Sequence, residues 1–346
     1  MRYVAQCTSG LQEVASTELA GLPDADIQLI EEGFIVFSTT AGSQQLKALP
    51  YLNNCFAVIK ELNSGNSGVV DLLGEVSRDQ SWHEIARDLV SSRAGTFRVV
   101  FSDAGQLVGG GQAMRSVASV LSRVTGLEPS SHKPDVEFWI IRRRSGVSFF
   151  CKRVTRRTRT ERHLRKGELR PELAHLLCVL SEPNEEDVFL DPCSGSGAIP
   201  FARTRYPYNM IFIHDNDENR IRDMKQDIKG GKIVRERSNC PLIVRAADAR
   251  KLDRIDDGFV HKVVTDPPWG VFDTGMDDIV AFYRDIVAEL IRVVRSGGAI
   301  VMLVGPKDIA NMLIAENTDT LNLAVTYDVL VSGQKASVVK WLRNAR

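Results

Sequence analysis

The sequence predicts an α/β protein: a C-terminal half built as a Rossmann-like, mostly parallel, doubly wound sheet with an edge hairpin, preceded by an α+β region. Three observations predict it. From Leu169 onward, short apolar runs of strand length alternate with stretches of helical spacing, as in sheets whose crossovers are helices. Four successive runs of that half end in an acid or meet one within two residues: Asp191, Asp215, Asp248 and Asp266. Before residue 155, strand and helix patterns alternate in shorter units with hairpin signals.

Taken in order, residues 2–7 read as a strand, and 10–22 as an amphipathic helix through Leu11, Val14, Ala15, Leu19 and Ala20. Residues 33–38 return to period two. Residues 82–91 read as a helix, 95–102 as a strand through Phe97, Val99 and Phe101, and 113–125 as a helix stopped at Gly126. Strands over 136–142 and 147–154 meet at a Ser145-Gly146 turn. Residues 103–112, with four glycines, read as a mobile loop. The C-terminal half opens on a helix with Pro171 in its first turn and Leu173, Leu176, Leu177 and Leu180 on one face. Its strands are placed at 188–191, 210–215, 242–246, 262–265, 299–304, 324–331 and 336–342, the last two forming a hairpin around Gly333.

Composition narrows the class. The chain of 346 residues has ordinary apolar and charged fractions, room for two or three domains, no long apolar span and no signal-like N-terminus, which together predict a cytoplasmic protein away from membranes. Its six cysteines are scattered without a CxxC pair, so neither a disulfide framework nor a metal site is expected. Net charge is zero, yet unevenly spread. Residues 1–141 carry 10 Lys/Arg against 16 Asp/Glu, residues 142–170 carry 12 against 2, and the remainder 22 against 26. The run over 152–170 has few apolar side chains to bury, and clustered arginines suit phosphate oxygens.

The chemistry sits at the strand ends. Asp191-Pro192-Cys193-Ser194-Gly195-Ser196-Gly197 is an acid followed by a Gly-x-Gly turn into a helix. Pro200 stands where a dinucleotide fingerprint needs its third glycine, and Gly-Lys-Ser/Thr is missing, so neither nicotinamide nor a phosphate loop is indicated. Asp191 suits a cationic group such as the amino group of a methionine moiety. Asp215, 18 residues beyond Gly197, suits ribose hydroxyls, and Asp248 an adenine amine. Thr265-Asp266-Pro267-Pro268-Trp269-Gly270 then closes a buried strand. An acid, carbonyls stiffened by proline and a ring can hold a flat heterocycle by its exocyclic amine. By itself the segment fits a surface turn with a buried tryptophan equally well.

In combination these motifs resemble the class I, S-adenosylmethionine-dependent methyltransferases that methylate amines, where Asp/Asn-Pro-Pro-aromatic ends the fourth strand. More narrowly, the Asp191 to Ile199 segment preceded by Leu169-Arg170-Pro171 resembles the THUMP-domain RNA guanine-N2 methyltransferases, as do Ser9-Gly10-Leu11-Gln12 and Lys133-Pro134-Asp135-Val136-Glu137. The resemblance implies a ferredoxin-like domain over 1–62, a THUMP domain over 63–154, a basic linker over 155–168 and a methyltransferase domain over 169–346. It implies S-adenosylmethionine held by Asp191, Cys193, Gly195, Gly197, Asp215, Asp248 and Asp266. Catalysis would fall to Asp266, Pro267, Pro268 and Trp269, the indole stacking on the base. The partner would be tRNA, gripped by Arg153, Arg156, Arg157, Arg159, Arg162, Arg165 and Lys166 and methylated at a guanosine, position 6 or 10, with no partner subunit required. The chain departs from the family pattern at Ser194 and Ala198, where Cys and Thr are common, and at Trp269, where Tyr or Phe is frequent. A methyltransferase acting on another RNA or another amine, such as rRNA guanine N2 or adenine N6, and a non-catalytic THUMP RNA-binding protein, are the rival readings.

Overall fold

A computed structural model describes all residues except 63–67, 110, 156–167, 232, 234, 236–238, 271–277 and 346. The chain divides into two compact units, Met1–Gln6 with Glu18–Arg156, and Cys7–Thr17 with Arg157–Arg346. No helix among the described residues is long and apolar enough to cross a membrane.

The first half of the chain holds β1 (Arg2–Gln6), α1 (Gln12–Ala20), β2 (Asp26–Glu31), β3 (Phe34–Ser38), α2 (Ser43–Lys47), β4 (Asn54–Leu62), α3 (Val69–Arg78) and α4 (His83–Asp88). After them come β5 (Thr96–Asp103), β6 (Gln106–Val108), α5 (Gly111–Thr125), β7 (Glu128–Pro129), β8 (Val136–Arg142) and β9 (Ser148–Arg153). Among the described residues these strands form one nine-stranded sheet, in the order β2-β3-β1-β4-β9-β8-β5-β6 with β7 beside β5. The alternation of Phe97, Phe101, Phe138 and Phe150 puts rings on one face, where Trp82, Leu72, Leu73, Val76, Val117 and Leu121 cover them. The expected loop over 103–112 is corrected. Ala104 and Gly105 both take positive φ, +46° and +87°, and make a two-residue hairpin turn that pairs β6 with β5, and α5 starts at Gly111.

The second half holds α6 (Pro171–Leu180), β10 (Val188–Asp191), α7 (Ala198–Arg203), β11 (Met210–Asp215), α8 (Glu218–Lys229), β12 (Leu242–Ala246) and β13 (Val260–Thr265). It ends with α9 (Ile279–Val293), β14 (Val294–Val304), α10 (Lys307–Glu316), β15 (Leu321–Val331) and β16 (Gln334–Arg343). The sheet order is β12-β11-β10-β13-β14-β16-β15. The first five strands are parallel, and β16 runs antiparallel to both β14 and β15, giving the expected hairpin at one edge. Strand β10 pairs with β11 on one side and with β13 on the other, so the order of connection reverses between β10 and β13. That reversal opens a crevice at their carboxyl ends, the usual ligand position in open α/β sheets. Helix α9 turns Tyr283, Ile286, Val287, Leu290 and Val293, spaced three or four apart, onto the core under β13 and β14.

Candidate active site

Asp191 closes β10 at the crevice. Its side chain is 0% exposed; Oδ1 accepts from the Cys193 N–H at 3.2 Å, and Oδ2 has no hydrogen-bond partner among the described residues. Burial pushes this carboxyl well above the usual range, the Cys193 amide and Thr265 oppose the shift, and the charges of Asp215 and Asp266 reinforce it. An orphaned, buried carboxylate oxygen costs free energy until a cation or donor meets it.

The turn after Asp191 is tied down by its backbone. The Ser194 N–H donates to the His214 carbonyl at 2.8 Å, and the Gly197 N–H to the Ser194 carbonyl at 2.7 Å. Gly197 has φ +90°, and a Cβ there would lie 2.6 Å from Phe201 Cε2, so the residue that caps α7 has to be glycine. Gly195, at φ +53°, donates its N–H to Asp215 Oδ2 at 2.7 Å, while Asp215 Oδ1 accepts from the Asp217 N–H at 2.9 Å. The acid of β11 therefore braces the glycine turn, with lone pairs left for a ligand's hydroxyls. Cys193 is half-buried, and burial beside Asp191, Asp215 and Asp266 holds its thiol protonated.

Asp266 follows β13, next to β10 in the sheet. Burial pushes its carboxyl up to about 7, against a hydrogen bond at 2.9 Å from the Trp269 indole N–H to Oδ1. Pro267 is buried, and Pro268 and Trp269 are half-buried. Two residues that sequence reasoning did not single out complete this corner. Gly305, just past β14, lies under the indole: a Cβ there would sit 2.3 Å from Trp269 Cδ2. Tyr283 of α9 is fully buried, its hydroxyl pushed up by burial and by the nearby Asp266 and Cys193. Glycine after a buried strand was visible in the sequence, but not the ring that needs it.

Asp191, Cys193, Gly195, Gly197, Asp215 and Asp266 thus converge. Asp248 does not stand free beside them. Its carboxylate is held by Arg250, with Nε at 3.0 and 3.1 Å and Nη2 at 2.6 Å, and Oδ1 also accepts the Arg250 amide at 2.9 Å. An adenine amine there would share the carboxylate with Arg250. Arg153, expected on phosphate, has a side chain that is 7% exposed, pairs with Glu137 at 3.1 Å and lies over the Trp139 ring, within the β8–β9 packing. Arg156, Arg157, Arg159, Arg162, Arg165 and Lys166 lie outside the described residues.

These donors fit S-adenosylmethionine. The orphan oxygen of Asp191 matches an ammonium group, the glycine turn admits close approach of a ligand, and Asp215 stands at the next strand end. Strand order, crevice and donors define the class: this is the fold of S-adenosylmethionine-dependent methyltransferases. Residues 157–212 match the UPF0020 family, described as RMKL-like, methyltransferase domain. No curated protein matches at a significant level. Among solved structures the chain is similar to TrmN from Thermus thermophilus (TM-score 0.77, 20% identity, 99% of each chain covered). It is also similar to SMU.472, solved in complex with SAH (TM-score 0.67, 12% identity, 100% of this chain and 98% of that one). A third structure is described as a predicted N6-adenine-specific DNA methylase from Listeria monocytogenes (TM-score 0.66, 15% identity, 98% of this chain and 95% of that one).

Proposed function

We propose that this methyltransferase transfers the methyl group of S-adenosylmethionine to the exocyclic N2 amine of a guanosine in tRNA, position 6 or 10. The observation that carries the reading is the Asp266-Pro267-Pro268-Trp269 turn, whose carboxylate stands at the strand reversal beside the orphaned Asp191. The N-terminal motifs and the basic run favour RNA. The proposed layout is a ferredoxin-like domain over 1–62, a THUMP domain over 63–154, a basic linker over 155–168 and the methyltransferase domain from 169.

The cofactor supplies an electrophilic methyl on a sulfonium, transferred in line to nitrogen. The chain supplies the rest. Asp191 neutralises the ammonium, Asp215 takes ribose hydroxyls, and Asp248 takes the adenine amine, sharing its carboxylate with Arg250. Asp266 Oδ2 accepts one N2 hydrogen and the Pro267 carbonyl the other, which draws a delocalised lone pair towards the methyl. The proton leaving nitrogen passes to Asp266, help typically worth about 10² to 10⁴ in rate. Stacking of the base on Trp269 is worth about 1 to 3 kcal/mol, and Pro268 fixes the turn.

The test is Asp266→Ala, read by nucleoside mass spectrometry of tRNA and by calorimetry with S-adenosylmethionine. Methyl transfer is expected to fall at least about 10²-fold with cofactor binding largely kept; retained turnover overturns the role. The likeness to a protein described as an adenine methylase favours N6-methyladenosine as the second reading, and the same spectra separate the two products.

A further inference from the structure

The Asp266–Trp269 pair divides the carboxylate between two tasks. Oδ1 is taken by the indole N–H at 2.9 Å, while the ring is seated on the backbone of Gly305, where not even a methyl group would fit. Gly305 is fixed in turn as the first residue past β14, which pairs with β13 directly behind Asp266. The carboxylate is thus held from one side by a donor whose ring is seated against a central strand's end. We infer that Trp269 is a positioning residue for Asp266: its indole N–H, anchored on Gly305, fixes the carboxylate and leaves Oδ2 as the oxygen presented to the substrate amine. This role is separate from stacking on a base and needs tryptophan, since neither tyrosine nor phenylalanine carries a ring N–H at that place. It rests on the methyl-transfer reading for its consequence in catalysis, but the bond itself is a property of the free protein.

The surroundings sharpen the argument. Asp191 and Cys193 from the β10 turn and Tyr283 from α9 lie close enough to interact with Asp266. The indole N–H draws the proton affinity of Asp266 down against burial. Deleting it leaves burial unopposed, so the carboxylate needs a higher pH to ionise.

The bond is read directly in the free, ¹⁵N-labelled protein. Of the four tryptophans, the indole resonance lost in Trp269→Phe is expected to shift with pH through a midpoint near 7 and to become pH-independent in Asp266→Asn. Trp139 is the internal control: its N–H bonds Glu137, a carboxyl that burial raises but Trp139 and Arg153 draw below the ordinary range, so it titrates far lower. In methylation of unfractionated tRNA, Trp269→Phe is expected to move the acid limb of kcat/KM upward by about one pH unit, the scale of a hydrogen bond to a charged group. Gly305→Ala, which pushes the indole aside, should move it in the same direction, and the double variant no further. A Trp269 resonance indifferent to pH between 5 and 9, or an unmoved limb in an active Trp269→Phe, overturns the inference. If the wild-type protein methylates no RNA, the functional reading fails and the indole titration alone decides the inference.

Discussion

The proposed role makes Asp266 a base in a place that disfavours its charge. Burial lifts its carboxyl to about 7, close to the value at which a base is ionised in a neutral solution and still holds a proton well. The sign of the resulting pH dependence follows directly. Accepting the amine hydrogens needs the ionised form, so kcat/KM for methyl transfer should be flat above about 7 and fall about tenfold per pH unit below it. Asp191 does not produce that limb by the same route, because an ammonium from the cofactor would lower its proton affinity on binding. A pH–rate profile with saturating S-adenosylmethionine checks this, and a profile flat down to pH 5 would remove Asp266 as the base.

At the scale of elements, a buried ion pair fastens the helix after the glycine turn to the strand before it. Arg203, in the last turn of α7, sends Nη2 to Asp187 Oδ2 at 2.8 Å, and both side chains are 0% exposed. Its Nη1 donates to the Pro207 carbonyl at 2.6 Å, and the guanidinium lies over Phe189 of β10. The pair clamps the helix that follows Gly197 to the start of the strand that ends at Asp191. Removing one partner strands a charge in the core, so Asp187→Ala should cost about 3–5 kcal/mol in urea unfolding. Asp187→Ala/Arg203→Met should recover much of that, and a single variant costing under about 1 kcal/mol would show that the pair does not clamp. None of this pairing shows in the sequence, where Asp187 and Arg203 are two polar residues 16 apart. What does show is whatever burial dictates locally. The limits of β10, β11 and β12 coincide with the apolar runs at 188–191, 210–215 and 242–246: β10 and β11 are short buried runs bounded by turns, and β12 is the half-buried to exposed edge strand. Strand β4 escapes this reading: between β1 and β9 it is buried on both faces, so Cys55, Phe56 and Ala57 follow one another without alternation. Helix α3 escapes it too, with Val69 and Val70 at its start and Gly74 in its middle weakening the helical signal. At the site, the acids and glycines were legible as chemistry ending strands. The Arg250 grip on Asp248 and the Gly305 seat under Trp269 depend on where side chains meet in space.

For the whole molecule, charge separation along the sequence is the feature that bears on substrate binding. The Lys/Arg excess of residues 142–170 is set against net acidic stretches on both sides; in its described part Arg142 is paired with Asp103, Arg143 with Glu31 and Arg153 with Glu137, while Arg144 and Arg170 are exposed. The proposed grip on phosphate is assigned to Arg156, Arg157, Arg159, Arg162, Arg165 and Lys166. Each phosphate they neutralise releases counterions, so the slope of log K against log salt counts the contacts, at about 0.7 to 0.9 per phosphate. Replacing Arg156, Arg157, Arg159 and Arg162 by Glu should weaken tRNA binding and flatten that slope by about 3 if all four touch the backbone. Asp266→Ala should leave the slope unchanged, since the carboxylate meets an amine and no phosphate. Fluorescence anisotropy with labelled tRNA from 50 to about 300 mM salt makes the measurement over the range in which such contacts are released. An unaltered slope in the charge-reversed protein would assign the run to a solvated connection and move the search for the RNA grip to other surfaces of the chain.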